Sequence, residues 1–100
     1  MAFKIEVRPL ALMDTYKIID WYSERSKVLG NKFYKQLKKH YKSLEINPFF
    51  VVRYKNVRCL PMRGFPYMIH FIIDEIKYKI VIIGIISTSR DPQIWEDRLS

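Results

Sequence analysis

Residues 57–95 read VRCLPMRGFPYMIHFIIDEIKYKIVIIGIISTSRDPQIW, and the punctuation of this stretch decides the fold. Lys77 to Ile86 carries Ile or Val at alternate positions on each face, the pattern of a central strand covered on both sides. Before it, Tyr67 to Ile73 is again apolar on both faces, and Asp74-Glu75 is the natural hairpin break between the two runs. Val57 to Met62 reads as the preceding strand, with Pro61 marking an edge or a bulge and Arg63-Gly64 making the turn. After the last strand, Asp91-Pro92 is a helix-start signal, so Gln93 to Leu99 is expected to form a short C-terminal helix.

Working outward, Phe3, Ile5 and Val7 alternate with Lys4, Glu6 and Arg8, the two-residue period of a strand with one wet face, and Pro9 ends it. From about Leu10 to Ser26, Ala11, Thr15, Ile18, Ile19 and Tyr22 fall on one side of a helix. Asp14, Lys17, Asp20 and Glu24 fall on the other, and Trp21 lies at the edge of the apolar stripe. A second helix starts near Gly30 and runs to Ile46, stopped by Asn47-Pro48. Leu29, Phe33, Leu37, His40 and Leu44 share one of its faces; Lys35, Lys38, Lys39 and Lys42 occupy the opposite one. Phe49 to Tyr54 reads as a strand or an extended lead-in. The expected architecture is a single α+β domain over residues 1–100. It has an N-terminal strand, an antiparallel two-helix hairpin, then a three- or four-stranded, mostly antiparallel sheet with a short C-terminal helix. The helices pack on one face of that sheet.

Lys and Arg number 18 against 10 Asp and Glu, a formal charge of +8 on 100 residues, so positive potential covers much of the surface. That balance suits a nucleic acid, a ribosome or an acidic protein segment, and it also serves plain solubility. The lysine face of the second helix carries the same two readings, a solvated face or an electrostatic footprint. Cys59 is the single cysteine, which excludes an internal disulfide and a multi-thiolate metal site and fits a reducing cytosol. Charges at Lys4 and Glu6 interrupt any signal-peptide core, and the run Ile80 to Ile86 is too short to span a bilayer, so a cytoplasmic protein without a membrane anchor is expected.

The familiar catalytic toolkits are missing from the sequence. His40 and His70 lie in unrelated elements without ligand-spaced companions, so no metal is expected. Ser87 and Ser89 lie near Asp91 with no histidine placed locally to act as base, and no glycine-rich phosphate loop is present, so no cofactor is expected. What remains is cationic and phenolic: Arg58, Arg63, Tyr67 and Arg90, with Arg53, Lys55 and Trp95 near by. A ribonuclease using the substrate's own 2′-hydroxyl needs a group to hold the phosphorane's charge, which the arginine fork supplies. It also needs proton-moving groups, and Tyr67 is the best local candidate if neighbouring cations bring its pKa toward neutrality. The competing reading makes Tyr67 a buried strand tyrosine and Arg58 and Arg90 structural arginines at strand ends.

At these residues the chain resembles a family. Ala11-x-x-Asp14 with Ile18, Trp21 and Tyr22 is similar to the first helix of RelE/ParE-type toxins, the plasmid stabilisation family, and Gly30-x-x-Phe33 to the start of their second. Val57-Arg58, Phe65-Pro66-Tyr67, the Ile-rich strand, Ser89-Arg90-Asp91-Pro92, Trp95 and Arg98 resemble the C-terminal half in order and spacing. The resemblance implies a small cytoplasmic toxin of a type II toxin-antitoxin pair, held inactive in a hetero-oligomer by an antitoxin that wraps its surface. RelE-like members cut mRNA in the ribosome, without a metal; ParE-like members inhibit DNA gyrase. Arg58, Tyr67 and Arg90 match the recurrent family positions, as catalytic groups on the first branch and as target contacts on the second. Lys35, Lys38, Lys39, Lys42, Arg63, Trp21 and Trp95 are the expected target- or partner-binding residues. Two departures stand against the nuclease branch: Ser87 replaces a histidine common in relatives three residues before the R-D-P arginine, and no C-terminal tyrosine follows Trp95. The sequence leaves open a further class, a non-toxic basic module that binds nucleic acid or protein.

Overall fold

The computed structural model describes residues 2–89; the helix expected over Gln93 to Leu99, and with it Arg90, Trp95 and Arg98, lies outside them. The elements are β1 (Lys4–Val7), α1 (Pro9–Arg25), α2 (Lys27–Ile46), β2 (Val52–Tyr54), β3 (Val57–Pro61), β4 (Tyr67–Asp74) and β5 (Lys79–Ser87). They form a five-stranded mixed sheet in the order β1-β5-β4-β3-β2. The meander β2 to β5 is antiparallel throughout, whereas β1 lies parallel to β5, with Lys4 opposite Lys79 and Val7 opposite Ile82. No helix among the described residues is long and apolar enough to cross a membrane.

Pro9 both stops β1 and opens α1, because its fixed φ suits the first helical turn and its missing N–H has no partner there anyway. The link to α2 is one residue: Ser26, extended at φ −165° and ψ 125°, donates to the Tyr22 carbonyl and accepts from the Leu29 and Gly30 amides. α2 therefore begins three residues before Gly30. Glycine at that position lets the helices approach closely, since a Cβ there would collide with Ser23 Oγ and meet the Ile19 carbonyl oxygen at 3.3 Å. At the far end, the Asn47 side chain accepts the Phe49 amide at 3.2 Å, and the chain leaves the helix as an extended segment of which only Val52 onward pairs as a strand.

The helices cover one face of the sheet. Ala11 and Ile18 of α1 and Phe33, Leu37 and Leu44 of α2 pack on Leu60, Ile69, Phe71, Ile80, Ile82 and Ile85. Thr15 enters this core by donating its hydroxyl to the Ala11 carbonyl. On the other face, Val57, Cys59, Met68, Val81 and Ile83 form a second cluster. β5 feeds both, as its two-faced apolar pattern requires.

Two details depart from the sequence pattern. Between His70 opposite Gly84 and Phe71 opposite Ile82, β5 holds one extra residue, so the face of the strand is reset midway. Asp14, expected on the wet side of α1, instead turns inward: its carboxylate accepts the Ile85 N–H at 3.0 Å, beyond the point where β1 ends its pairing. Helical periodicity places Asp14 at the margin of the stripe, and the strand's need for an acceptor draws it in. Ile85 is buried, so deleting the acceptor strands an amide in the core. Asp14→Ala is expected to lower stability by about 1–3 kcal/mol in urea unfolding, and Asp14→Asn, which keeps an acceptor oxygen, by less.

Candidate functional site

The β3–β4 turn and the end of β5 meet at one end of the sheet, beneath the helix hairpin. Gly64 adopts φ +82°, a left-handed conformation that favours glycine, and the turn closes with the Met62 amide on the Tyr67 carbonyl and the Tyr67 amide on the Phe65 carbonyl. Tyr67 pairs with Ser87, and the Thr88 amide donates to the Pro66 carbonyl at 3.0 Å. The Phe65-Pro66-Tyr67 run is thereby fastened beside Ser87-Thr88-Ser89, with the Ser87 and Ser89 hydroxyls 2.9 Å apart. These two motifs, far apart in sequence, are brought together.

An aromatic array joins this end to the helices. Tyr67 meets Phe33 edge-on at 5.8 Å between centroids, Phe33 meets Phe65 at 5.2 Å, and Tyr22 contacts both Phe33 and Phe65. Trp21 continues the array, edge-on to Tyr22 at 5.1 Å, and remains 49% exposed with the Arg25 guanidinium 3.5 Å from its ring centroid. Arg25 also donates to the Trp21 carbonyl, so the indole is an exposed, cation-faced platform at the hairpin's edge. Sequence reasoning found Trp21 and Tyr67 but not the array, whose members come from α1, α2 and the β3–β4 turn.

Arg58 sits elsewhere. It lies opposite Phe71 on β3, half-buried, with its guanidinium 5.4 Å from the Phe49 ring. Phe71 is four residues from Tyr67 along β4, about 13 Å at strand rise, so Arg58 and Tyr67 belong to different neighbourhoods. Arg58 instead borders an open groove of about 640 Å³ with Arg8, Val52, Asp74 and Glu75. Arg63 is exposed on the turn, and its backbone N–H donates to His40 Nε2 on α2 at 3.1 Å, with Gln36 Nε2 equally close to that nitrogen. Lys35, Lys38, Lys39 and Lys42 are all exposed, as expected, and Lys38 Nζ lies 5.2 Å from the Tyr34 ring.

Burial dominates the titrating groups. It raises the Tyr22 phenol, with Tyr67 near by adding to the rise, and pushes the Tyr41 phenol well above its usual range. It lowers the His40 imidazole, assisted by the positive charge of Arg63. It pushes the Cys59 thiol up to about 11, against a smaller lowering by Arg53. Each of these groups is held in its neutral form. On the second sheet face, His70 is fully buried, with the Tyr54 hydroxyl 3.1 Å and Cys59 Sγ 3.4 Å from its Nδ1. Cys59 and His70 are cross-strand partners, a neighbourhood that only the register reveals. Among the described residues no cluster of His, Cys, Asp and Glu fits a metal ion.

A family model, the ParE toxin of the type II toxin-antitoxin system parDE, matches residues 5–92. No curated protein matches the chain. Among solved structures, it is similar to a chain of the chromosomal ParDE system of P. aeruginosa, with TM-score 0.73 and 19% identity over 86% of this chain and 96% of that one. A mutant of the E. coli toxin RelE in the free state gives TM-score 0.73 and 16% identity, over 99% and 96% of the two chains. A chain of the toxin-antitoxin complex RelBE2 from Mycobacterium tuberculosis gives 0.61 and 13%, over 87% and 99%. At these identities the likeness is one of fold.

Two measurements probe the buried groups. His40 accepts a hydrogen bond through a nitrogen that must stay unprotonated, and its folded pKa lies below the ordinary value of about 6.5. The unfolded chain therefore takes up the proton first, and this site's contribution to stability, complete above about pH 6.5, is lost as pH falls below it. Urea midpoints measured between neutral and mildly acidic pH are expected to fall less in His40→Gln than in the parent. Cys59, buried and held as the thiol, is expected to resist alkylation by iodoacetamide in native protein near pH 8 and to react promptly in urea.

Proposed function

The chain belongs to the ParE toxin family of type II toxin-antitoxin systems, and from that premise we propose that it arrests growth by binding DNA gyrase and is neutralised by a cognate antitoxin. The match to the ParE model over residues 5–92 carries this reading. Geometry supports binding over mRNA cleavage. Tyr67 presents its ring to Phe33 in the aromatic array and is separated from Arg58, while His40 is occupied by the Arg63 amide. The displaced phenols and thiol, Tyr22, Tyr41 and Cys59, move away from neutrality, so none of these three is tuned for proton transfer at neutral pH. Both gyrase and the ribosome place the protein's action in the cytoplasm.

The antitoxin reading draws on the ParDE and RelBE2 structures, which are toxin-antitoxin assemblies by name. Two surfaces suit such a partner. α1 exposes Leu12, Met13 and Tyr16, a strip for an amphipathic helix, and β2 is an edge strand that begins at exposed Val52 and is preceded by exposed Val51, open to an added strand.

Induced expression is expected to halt growth with gyrase-dependent DNA breaks, and purified protein to inhibit gyrase supercoiling. Coexpression of a small acidic protein encoded next to it is expected to restore growth. Tyr67→Phe, which keeps the ring against Phe33, is expected to retain full growth arrest. Arrest accompanied by mRNA cut at ribosomal A sites, with gyrase unaffected and Tyr67→Phe impaired, would replace this reading with the nuclease one. Unaffected growth with folded protein would leave the non-toxic binding module.

A further inference from the structure

We propose that the exposed lysine row of α2 is a sequence-independent contact for the phosphate backbone of duplex DNA. Lys32, Lys35, Lys39 and Lys42 recur at spacings of three, four and three, so they form one stripe, with Lys38 beside it. The stripe lies opposite Phe33, Leu37 and Leu44, which anchor the helix on the sheet, so packing holds it outward. At helical rise, Lys32 to Lys42 spans about 15 Å. Along one strand a DNA duplex carries a phosphate roughly every 3.4 Å of its axis, so a row of this length runs beside about four phosphates of the nearer backbone. Among the described residues, none of these lysines forms an ion pair; Lys79 with Glu6 does so on β5 and β1. Arg63, tied to α2 through His40, adds a further exposed cation at the flank.

The chemistry selects nucleic acid over protein. Between Lys35 and Lys42 every exposed side chain is a lysine, with the exposed apolar residues Val28, Tyr34 and Ile46 lying outside that row, and lysine is depleted in the cores of protein interfaces. Lysine is a point charge without the bidentate fork that reads a base edge, so the row grips phosphate in any register. Choosing DNA over RNA rests on the gyrase reading, because gyrase acts while holding DNA; the row then contacts the duplex beside the enzyme.

The test is fluorescence anisotropy of a short labelled duplex of scrambled sequence, titrated with the purified chain over a salt series without gyrase. The wild type is expected to bind with affinity falling steeply with salt. The combined variant Lys35→Ala, Lys38→Ala, Lys39→Ala, Lys42→Ala is expected to weaken binding more than about tenfold at low salt and to flatten the log-log salt slope by about 3–4, near 0.9 for each lost phosphate contact. The corresponding Lys→Arg variant is expected to keep both. These positions are exposed, and circular dichroism with a Lys→Gln set confirms that a loss of binding is not a loss of fold. Unchanged binding by the folded alanine or glutamine variant, no salt-dependent binding by the wild type, or tighter binding of an RNA duplex of the same sequence overturns the proposal. A chain that inhibits gyrase without binding free DNA sinks this inference alone; one that binds DNA and spares gyrase sinks only the gyrase reading.

Discussion

β5 must be buried on both faces, and the rest of the molecule is arranged to meet that demand. Ile80, Ile82 and Ile85 face the helices while Val81 and Ile83 face the second cluster. Each such side chain contributes about 1.5–3 kcal/mol when fully removed from water, so together they are comparable with the whole domain's usual margin, and a strand of this pattern is disfavoured at the sheet's edge. The strand therefore takes an inner position, between β4 and β1, and the chain's first strand is used to close its far side. β1 is too short to cover all of β5. Asp14 supplies the acceptor where β1 stops, which makes a helix side chain part of the sheet's hydrogen bonding.

α2 serves two masters along its length. Its inner face brings Phe33, Leu37 and Leu44 into the core, together worth several kcal/mol at the usual burial value. Its outer face sets lysines at spacings where each like-charged neighbour costs a few tenths of a kcal/mol. The first term outweighs the second, so the helix stays folded while presenting a charge density it would not sustain in isolation. Gly30 trades helix propensity for proximity: glycine is about 1 kcal/mol less favourable than alanine in a helix, and in return α1 and α2 close on each other across Ser23.

What was legible in the sequence was what local periodicity encodes. The doubly apolar β5, the two faces of α2, the Arg63-Gly64 turn and the α+β order all follow from spacings within one element. The missed features are set by pairing between elements. Asp14 looked solvated because its helical position says nothing of the Ile85 amide across the interface. The Cys59–His70 neighbourhood is silent in the sequence because the two lie eleven positions apart on separate strands, and only the register makes them cross-strand partners. Arg58 and Tyr67 looked like one site because motif order carries no register; β3 pairs Arg58 with Phe71, midway along β4, while Tyr67 begins that strand. The extra residue in β5 is equally silent, since a run of Ile and Val reads as apolar on either face.

The division between neutral interior and charged exterior bears on how such a surface acts. Burial favours the uncharged forms of Tyr22, Tyr41, Cys59 and His40. The exposed lysines need no such tuning, because an ammonium in water keeps its charge at no desolvation cost. A surface of this kind gains free energy when a polyanion approaches and releases its counterions, and that gain depends on the number and spacing of cations rather than on any one residue's exact placement. Catalysis demands the reverse, a few groups held within fractions of an ångström. The lysine face of α2 is arranged in the first of these ways, and holding β5 occupies the core behind it.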